Sequence, residues 1–271
     1  MKLVTFKAAN GKTGPGLLTT NGAVDLSAKY ADVLSIIRSG AALDASGPVL
    51  PLSGVELLAP IQNPPRIFCV GLNYRDHAIE SKMEIPKVPT IFFKLNSALT
   101  GDKTAIKLPA ASMQVDYEAE FAVVIGKEAR NVSKENWQEY VFGYTILNDV
   151  SARDVQLSTS QWSLGKSFDT FAPLGPAIVT KDEIADPHEL QISLSIDGEV
   201  LQNSNTRELI FKVPDLIAYI SAIAPLQPGD IISTGTPQGV GLGRTPQRWL
   251  KPGETIAVTI DGLGTLTNSV V

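Results

Sequence analysis

The sequence predicts an α+β protein, mainly β, whose bulk is a sandwich or rolled sheet preceded by a small N-terminal α+β domain. Three observations predict it. Short segments alternate apolar and polar residues with a period of two, most regularly in Leu190-Gln191-Ile192-Ser193-Leu194-Ser195-Ile196. Asp197-Gly198 and Asp261-Gly262 then supply the two-residue turns that fold such segments back on themselves. Finally, 18 prolines and 22 glycines scattered through short strands suit a rolled sheet better than a βαβ arrangement.

The chain has 271 residues, of which 44% are hydrophobic, enough for a real core. Its formal charge of −5 is spread without long like-charge runs, so no basic patch awaits nucleic acid or an acidic membrane surface. Small molecules are the expected partners. Cys69 is the only cysteine, which excludes an intrachain disulfide, and its place in Ile67-Phe68-Cys69-Val70 reads as core filling. The start Met1-Lys2-Leu3-Val4-Thr5-Phe6-Lys7 lacks a secretory apolar region, and no apolar run approaches the roughly 20 residues of a membrane span. A cytoplasmic location is the resulting expectation.

From the N-terminus, Leu3–Phe6, Gly16–Thr19 and Ala23–Leu26 read as short strands. A helix follows near Asp32–Ser39, with Val33, Ile36 and Ile37 on one face and Gly40 as its stop. Asn63-Pro64-Pro65 forbids regular structure and divides the chain into domains at 1–62 and 63–271. Ile67–Val70 reads as a buried strand that turns through Gly71-Leu72-Asn73 into a short helix, with Asn73 at the N-cap and Asp76 completing a capping box. Another helix carries Leu216, Ile217, Ile220, Ile223 and Ala224 as its apolar stripe, with Pro214 at its first position and Pro225 past its end. The C-terminal hairpin is Ile256, Val258, Ile260, a turn, then Leu263–Leu266.

Chemistry concentrates in Val115-Asp116-Tyr117-Glu118-Ala119-Glu120-Phe121. A strand's period of two puts Glu118 and Glu120 on one face, where two anions repel unless a cation lies between them. Asp149 is delivered at the end of the apolar segment Tyr140–Leu147 as a third carboxylate. Oxygen ligands without His or Cys favour a hard ion: Mg²⁺ first, Mn²⁺ next, Ca²⁺ third. The alternative is a pair of glutamates facing solvent on an edge strand. His77 and Glu80 are three apart on the short helix, so the carboxylate can orient the imidazole, or the two form an ordinary surface pair. His188, in Ala185-Asp186-Pro187-His188-Glu189, reads as solvated.

Ser151 reads as the N-cap of a helix with Asp154 at its third position, and this helix places Arg153 and Gln156 on its first turns beside the carboxylates. Guanidinium and carboxamide there suit substrate oxygens. Lys166, in the apolar stretch Gly165–Phe171, and Lys94, after Ile91-Phe92-Phe93, either snorkel or pair with an anion. The strand Ile231–Ser233 enters the glycine-rich Thr234–Gly243 loop, which lacks the ending of a Walker loop. Its N–H groups and the Thr236 hydroxyl can approach an anionic ligand, or the loop is a plain tight turn.

Taken in order, Gly71-Leu72-Asn73-Tyr74-Arg75-Asp76-His77, Tyr117-Glu118-Ala119-Glu120, Asn148–Gln156, Gly165-Lys166-Ser167-Phe168-Asp169-Thr170-Phe171 and Thr234-Gly235-Thr236-Pro237 resemble the fumarylacetoacetate hydrolase family. The resemblance runs from about residue 64 to the end. It implies a β-sandwich roll in a homodimer, with Mg²⁺ or Mn²⁺ on Glu118, Glu120 and Asp149. It further implies that His77 with Glu80 activates water, that Lys166 stabilises an oxyanion or protonates the departing carbon, and that Arg153, Gln156, Lys166 and Thr236 contact substrate. Lys94 is placed with them, although Leu95 stands where many relatives have proline.

The nearest branch contains acylpyruvate hydrolases, oxaloacetate decarboxylases and hydroxymuconate isomerases. The resemblance therefore implies metal-dependent hydrolysis of the C–C bond of a 2,4-dioxo acid to a 2-oxo acid and a carboxylic acid. The alternatives are oxaloacetate decarboxylation and isomerisation of a hydroxymuconate-type diacid, which pass through the same enolate. A reading of another class is a non-catalytic fold holding structural Ca²⁺.

Overall fold

The structure is a computed structural model describing residues 1–80 and 84–271. Its main element is a twelve-stranded mixed sheet. The centre of this sheet is antiparallel: Ala119–Ile125 pairs with Val141–Asn148, and Val141–Asn148 with Ala172–Thr180. On one side Ile231–Ser233, Ile67–Gly71 and Thr90–Lys94 continue it, with Ile231–Ser233 parallel to Ile67–Gly71. On the other, Lys2–Ala8 pairs with Ala172–Thr180 in the register Leu3↔Ile178, and Thr13–Thr19 and Gly22–Asp25 follow. A four-stranded antiparallel sheet holds the two predicted hairpins in the order Glu199–Asn205, Gln191–Ile196, Thr255–Ile260, Gly264–Ser269.

Side-chain alternation explains why the large sheet is covered on both faces. Phe121, Val123 and Val179 point into one core with Ile192, Leu194, Val258 and Leu266 of the smaller sheet and Leu216, Ile217 and Ile220 of the Val213–Ile223 helix. Their neighbours Val124 and Ile178 point the other way, onto Val33, Ile36 and Ile37 of the Val33–Ser39 helix. That helix starts at a capping box in which Asp32 accepts from Ser35 N–H at 2.6 Å, and it stops at Gly40 with φ +59°.

Four local expectations are corrected. Asn73 caps no helix: its amide donates to Phe211 and Thr234 carbonyls at 3.0 and 2.7 Å and accepts from Phe211 N–H at 2.8 Å, tying three chain segments together. Ser151 does not cap either, because it lies in a two-residue strand paired with Asp116 and its hydroxyl donates to the Asp149 carbonyl. The helix with the apolar stripe begins at Val213, one residue before Pro214, with Asp215 accepting from Lys212 N–H at 2.9 Å. His188 is only 13% exposed; its Nδ1 lies 3.3 Å from Asp186 and its Nε2 accepts from Val213 N–H.

Candidate active site

Register assembles the acidic cluster. Ala119 pairs with Asn148, so Glu118 and Asp149 are left side by side where the two strands end. Glu118 N–H donates to the Asn148 side chain at 3.0 Å and Asp149 N–H to the Glu118 carbonyl at 2.9 Å, which locks both backbones. Carboxylate oxygens of Glu118, Glu120 and Asp149 then lie within 4.8 Å of one another, all three buried. The predicted triad forms, and it faces inward rather than into solvent.

Both lysines of uncertain role turn out to be paired. Lys166 Nζ is 2.8 Å from Glu118 and 2.8 Å from Asp149; Lys94 Nζ is 2.5 Å from Asp149 and 3.1 Å from the Val150 carbonyl. Gly165 lets Lys166 reach that position, since a Cβ there would meet Gln156 N at 2.4 Å. Arg153 Nη2 lies 2.6 Å from Glu118 and 2.8 Å from Asp116, and Arg153 Nη1 donates to Gln156 Oε1 at 3.0 Å. Burial alone would raise the Glu118 pKa, but Lys166 and Arg153 outweigh it and bring it down to about 2. Burial likewise opposes the charge on Lys166, yet Asp149 and Glu118 hold its pKa above the ordinary lysine value.

Glu120 is different. Its carboxylate meets only neutral donors, Ser233 Oγ at 2.5 Å and Gly235 N–H at 3.0 Å. Burial, then Asp149 and Glu118, push its pKa well above the usual carboxylate range. Four buried carboxylates, Asp116 included, face three cations, and the missing positive charge falls at Glu120. A divalent ion fits this deficit, and an all-oxygen donor set suits a hard one. Glu118, Glu120 and Asp149 are the residues that could hold it.

Beside the acidic cluster opens a cleft of about 710 Å³ lined by His77, Glu80, Arg153, Gln156, Trp162 and Arg244, among others. His77 Nδ1 is 3.1 Å from Glu80 Oε2, and Glu80 Oε1 accepts from Gly239 N–H at 3.0 Å. The predicted dyad is thus braced by the glycine-rich loop. That loop does approach anions, but they are the protein's own: Glu120 at Gly235, Glu80 at Gly239, and Asp116 at Gly241 and Leu242. Gly235 has φ +98°, and a Cβ there would sit 2.9 Å from Asn73 Cβ. Thr236 Oγ1 accepts from Gln202 at 2.8 Å.

Sequence reasoning missed Asp116, Gln202, Ser233 and Arg244. Asp116 carried a signal, because it extends the alternation of Glu118 and Glu120 by one step; Gln202 and Ser233 act across more than 30 residues of chain, and Arg244 is placed by both the nearby Gly239 and the distant Leu201, so these three carried none. Cys69 is fully buried, its thiol pKa raised well above normal by burial, as core filling requires.

Residues 66–271 match the family model described as fumarylacetoacetate (FAA) hydrolase, C-terminal. The chain is 44% identical to the human mitochondrial oxaloacetate tautomerase FAHD2A, over all of this chain and 92% of that protein. The solved fumarylacetoacetate hydrolase of Exiguobacterium antarcticum superposes with a TM-score of 0.91 at 36% identity, covering 100% of this chain and 99% of that one. The 5-carboxymethyl-2-hydroxymuconate delta-isomerase of Mycobacterium smegmatis gives 0.85 at 36% identity with the same coverage. The fold, the order of the motifs and these matches agree: the chain belongs to the fumarylacetoacetate hydrolase family.

Proposed function

We propose that this protein catalyses proton transfer at the carbon next to the ketone of a short 2-oxo diacid, interconverting the enol and keto forms of an oxaloacetate-like substrate. The observation that carries it is the buried cation deficit at Glu120, in an acidic cluster that Arg153 joins to a cleft holding an oriented imidazole. A divalent ion bound by Glu118, Glu120 and Asp149 would neutralise the charge developing on the substrate's C2 oxygen. In the tautomer whose Nδ1–H donates to Glu80, His77 Nε2 is left as the base that takes the carbon or enol proton and returns it. Gln156 gives its oxygen to Arg153, so its amide N–H groups serve the substrate carboxylate. Lys166, held charged by two carboxylates, fixes Glu118 and Asp149 in place and presents a positive charge to the reacting oxygen, as does Lys94 from Asp149 at longer range, while the Thr236 hydroxyl of the loop offers a neutral hydrogen-bond donor. A 44% identical relative with a tautomerase name supports this choice among enolate reactions.

A second reading, hydrolysis of a 2,4-dioxo acid, is favoured by the same His77–Glu80 pair, which could equally take a proton from water, and by the hydrolase among the solved relatives. The discriminating experiment follows enol absorbance of oxaloacetate and of an acylpyruvate with Mg²⁺ and with chelator. Tautomerisation predicts accelerated, chelator-sensitive decay of enol-oxaloacetate with no acid released from the acylpyruvate. Release of pyruvate and a carboxylic acid at a comparable rate would put hydrolysis first.

The reading includes a homodimer, supported by exposed Phe93 and Ile223 at a shallow apolar groove; a monomer in sedimentation at micromolar concentration would refute it. No described helix is long and apolar enough to cross a membrane. The human relative is named mitochondrial, so the cytoplasmic expectation does not extend to it.

A further inference from the structure

Two arginines line the cleft in opposite electrostatic surroundings. Arg153 is matched by Asp116 and Glu118. Arg244, just past the Gly241–Gly243 turn, has no carboxylate partner within 4.0 Å among the described residues. Its Nε donates to the Gly239 carbonyl at 3.3 Å and its Nη2 to the Leu201 carbonyl at 2.8 Å. These neutral acceptors fix the guanidinium and leave its charge unmatched, although the side chain is partly withdrawn from water.

The loop presenting Arg244 is itself fixed relative to the acidic cluster. Asp116 accepts from Gly241 N–H at 2.6 Å and Leu242 N–H at 3.0 Å, while the same carboxylate accepts from Arg153 Nε at 2.9 Å. Arg153 in turn sits on Glu118. A continuous chain of hydrogen bonds closed by an ion pair therefore sets where the unmatched guanidinium stands with respect to the place where the 2-oxo acid end binds. A planar, permanently charged fork held this way is suited to a carboxylate. A monoacid spends its single carboxylate beside the ketone; only a diacid brings a second.

We propose that Arg244 receives the distal carboxylate of the substrate and makes the cleft selective for 2-oxo diacids over monoacids. This rests on the 2-oxo acid reading above, and the test separates the two. Arg244→Met should lose about 10- to 100-fold in kcat/KM on enol-oxaloacetate, the range of a charge-assisted hydrogen-bonded pair, and under about 3-fold on enol-phenylpyruvate, with Arg244→Lys recovering part of the loss. In parallel, calorimetry with Mg²⁺ should show the parent preferring malate to lactate and Arg244→Met losing that preference. Equal losses on both enols, with the malate preference kept, would make Arg244 a loop brace and overturn the proposal. A variant as active as the parent on oxaloacetate would overturn it too, leaving the reaction untouched. A parent inactive on both enols whose malate preference still vanishes in the variant would remove the reaction and uphold Arg244.

Discussion

Glu118 and Asp149 form a buried floor behind Arg153, which lines the cleft, with Lys94 and Lys166 against them; His77 and Glu80 line the cleft itself and form its rim, 15% and 19% exposed, joined by one hydrogen bond. The floor stands on paired strands and their first turns, so its geometry comes from sheet register. The rim stands on the six-residue Arg75–Glu80 helix and on a loop held by backbone N–H groups. Such a difference teaches that one site can carry two kinds of dependence. Floor side chains are bound into folding, because each buried charge needs its partner. Rim side chains can change with little effect on the fold.

The largest effect should come from breaking the floor. Asp149→Asn leaves Lys94 without a carboxylate partner and Lys166 with Glu118 alone, and removing one member of a buried ion pair costs about 3–5 kcal/mol. Urea unfolding of the metal-free protein should show that loss, together with loss of Mg²⁺ binding. Unchanged stability would mean that the lysines are less dependent on Asp149 than the geometry requires.

At the rim, His77→Ala should cost on the order of 10²–10⁴ in turnover while Mg²⁺ affinity and melting temperature stay near parental values. A variant that also loses the ion would erase the floor–rim distinction. Glu80→Gln keeps the size of the side chain and disturbs only imidazole orientation and charge. About a 10-fold loss is expected from a second-sphere change of this kind, read as a lower kcat with an altered pH profile. If the fall-off on acylpyruvates greatly exceeds that on oxaloacetate for both variants, water activation regains its place as the dyad's main role.

The smallest effect lies outside the site and sharpens the comparison, because it concerns a histidine with no catalytic part. Burial lowers the His188 pKa from 6.5, against Asp186, which raises it; Lys212 lowers it further, and Asp215 also faces it. Its neutral form accepts from Val213 N–H, so the fold favours the unprotonated ring. The stability it contributes is present above pH 6.5 and is lost as pH falls through the lower folded-state value. Melting temperature should therefore decline more steeply below pH 6.5 in the parent than in His188→Gln. Parallel declines would contradict that origin.

How much of this was legible in the sequence depends on how far apart the interacting residues stand. Alternation and Asp-Gly turns located both C-terminal hairpins, and the Gly40 stop and Ile36–Ile37 face located the first helix, because those signals are local. The alternation of Glu118 and Glu120 showed a shared face, but burial came from strand pairing the residues alone do not reveal. Asn73 and Asp154 carried true capping patterns and were drawn off by distant partners, Phe211 and Thr234 for the one and Ser112 for the other, while Ser151 turned back to the Asp149 carbonyl two residues away and paired in a strand with Asp116. His188 looked polar from its neighbours, whereas Trp137 and the start of a helix cover it. Order among five motifs, rather than any one of them, brought His77, Glu118, Asp149 and Lys166 to one place.

The central claim is that Glu120 is a buried carboxylate waiting for a divalent ion, and Mg²⁺ calorimetry on the parent and on Glu120→Gln tests it most directly. Glutamine keeps the shape and removes the charge. The account predicts one ion per chain in the parent and at least about 100-fold weaker binding in the variant, from loss of a charged ligand. The metal-free variant should melt at or above the parent, since an unmatched buried charge has been removed. Equal Mg²⁺ affinity in both proteins would contradict it.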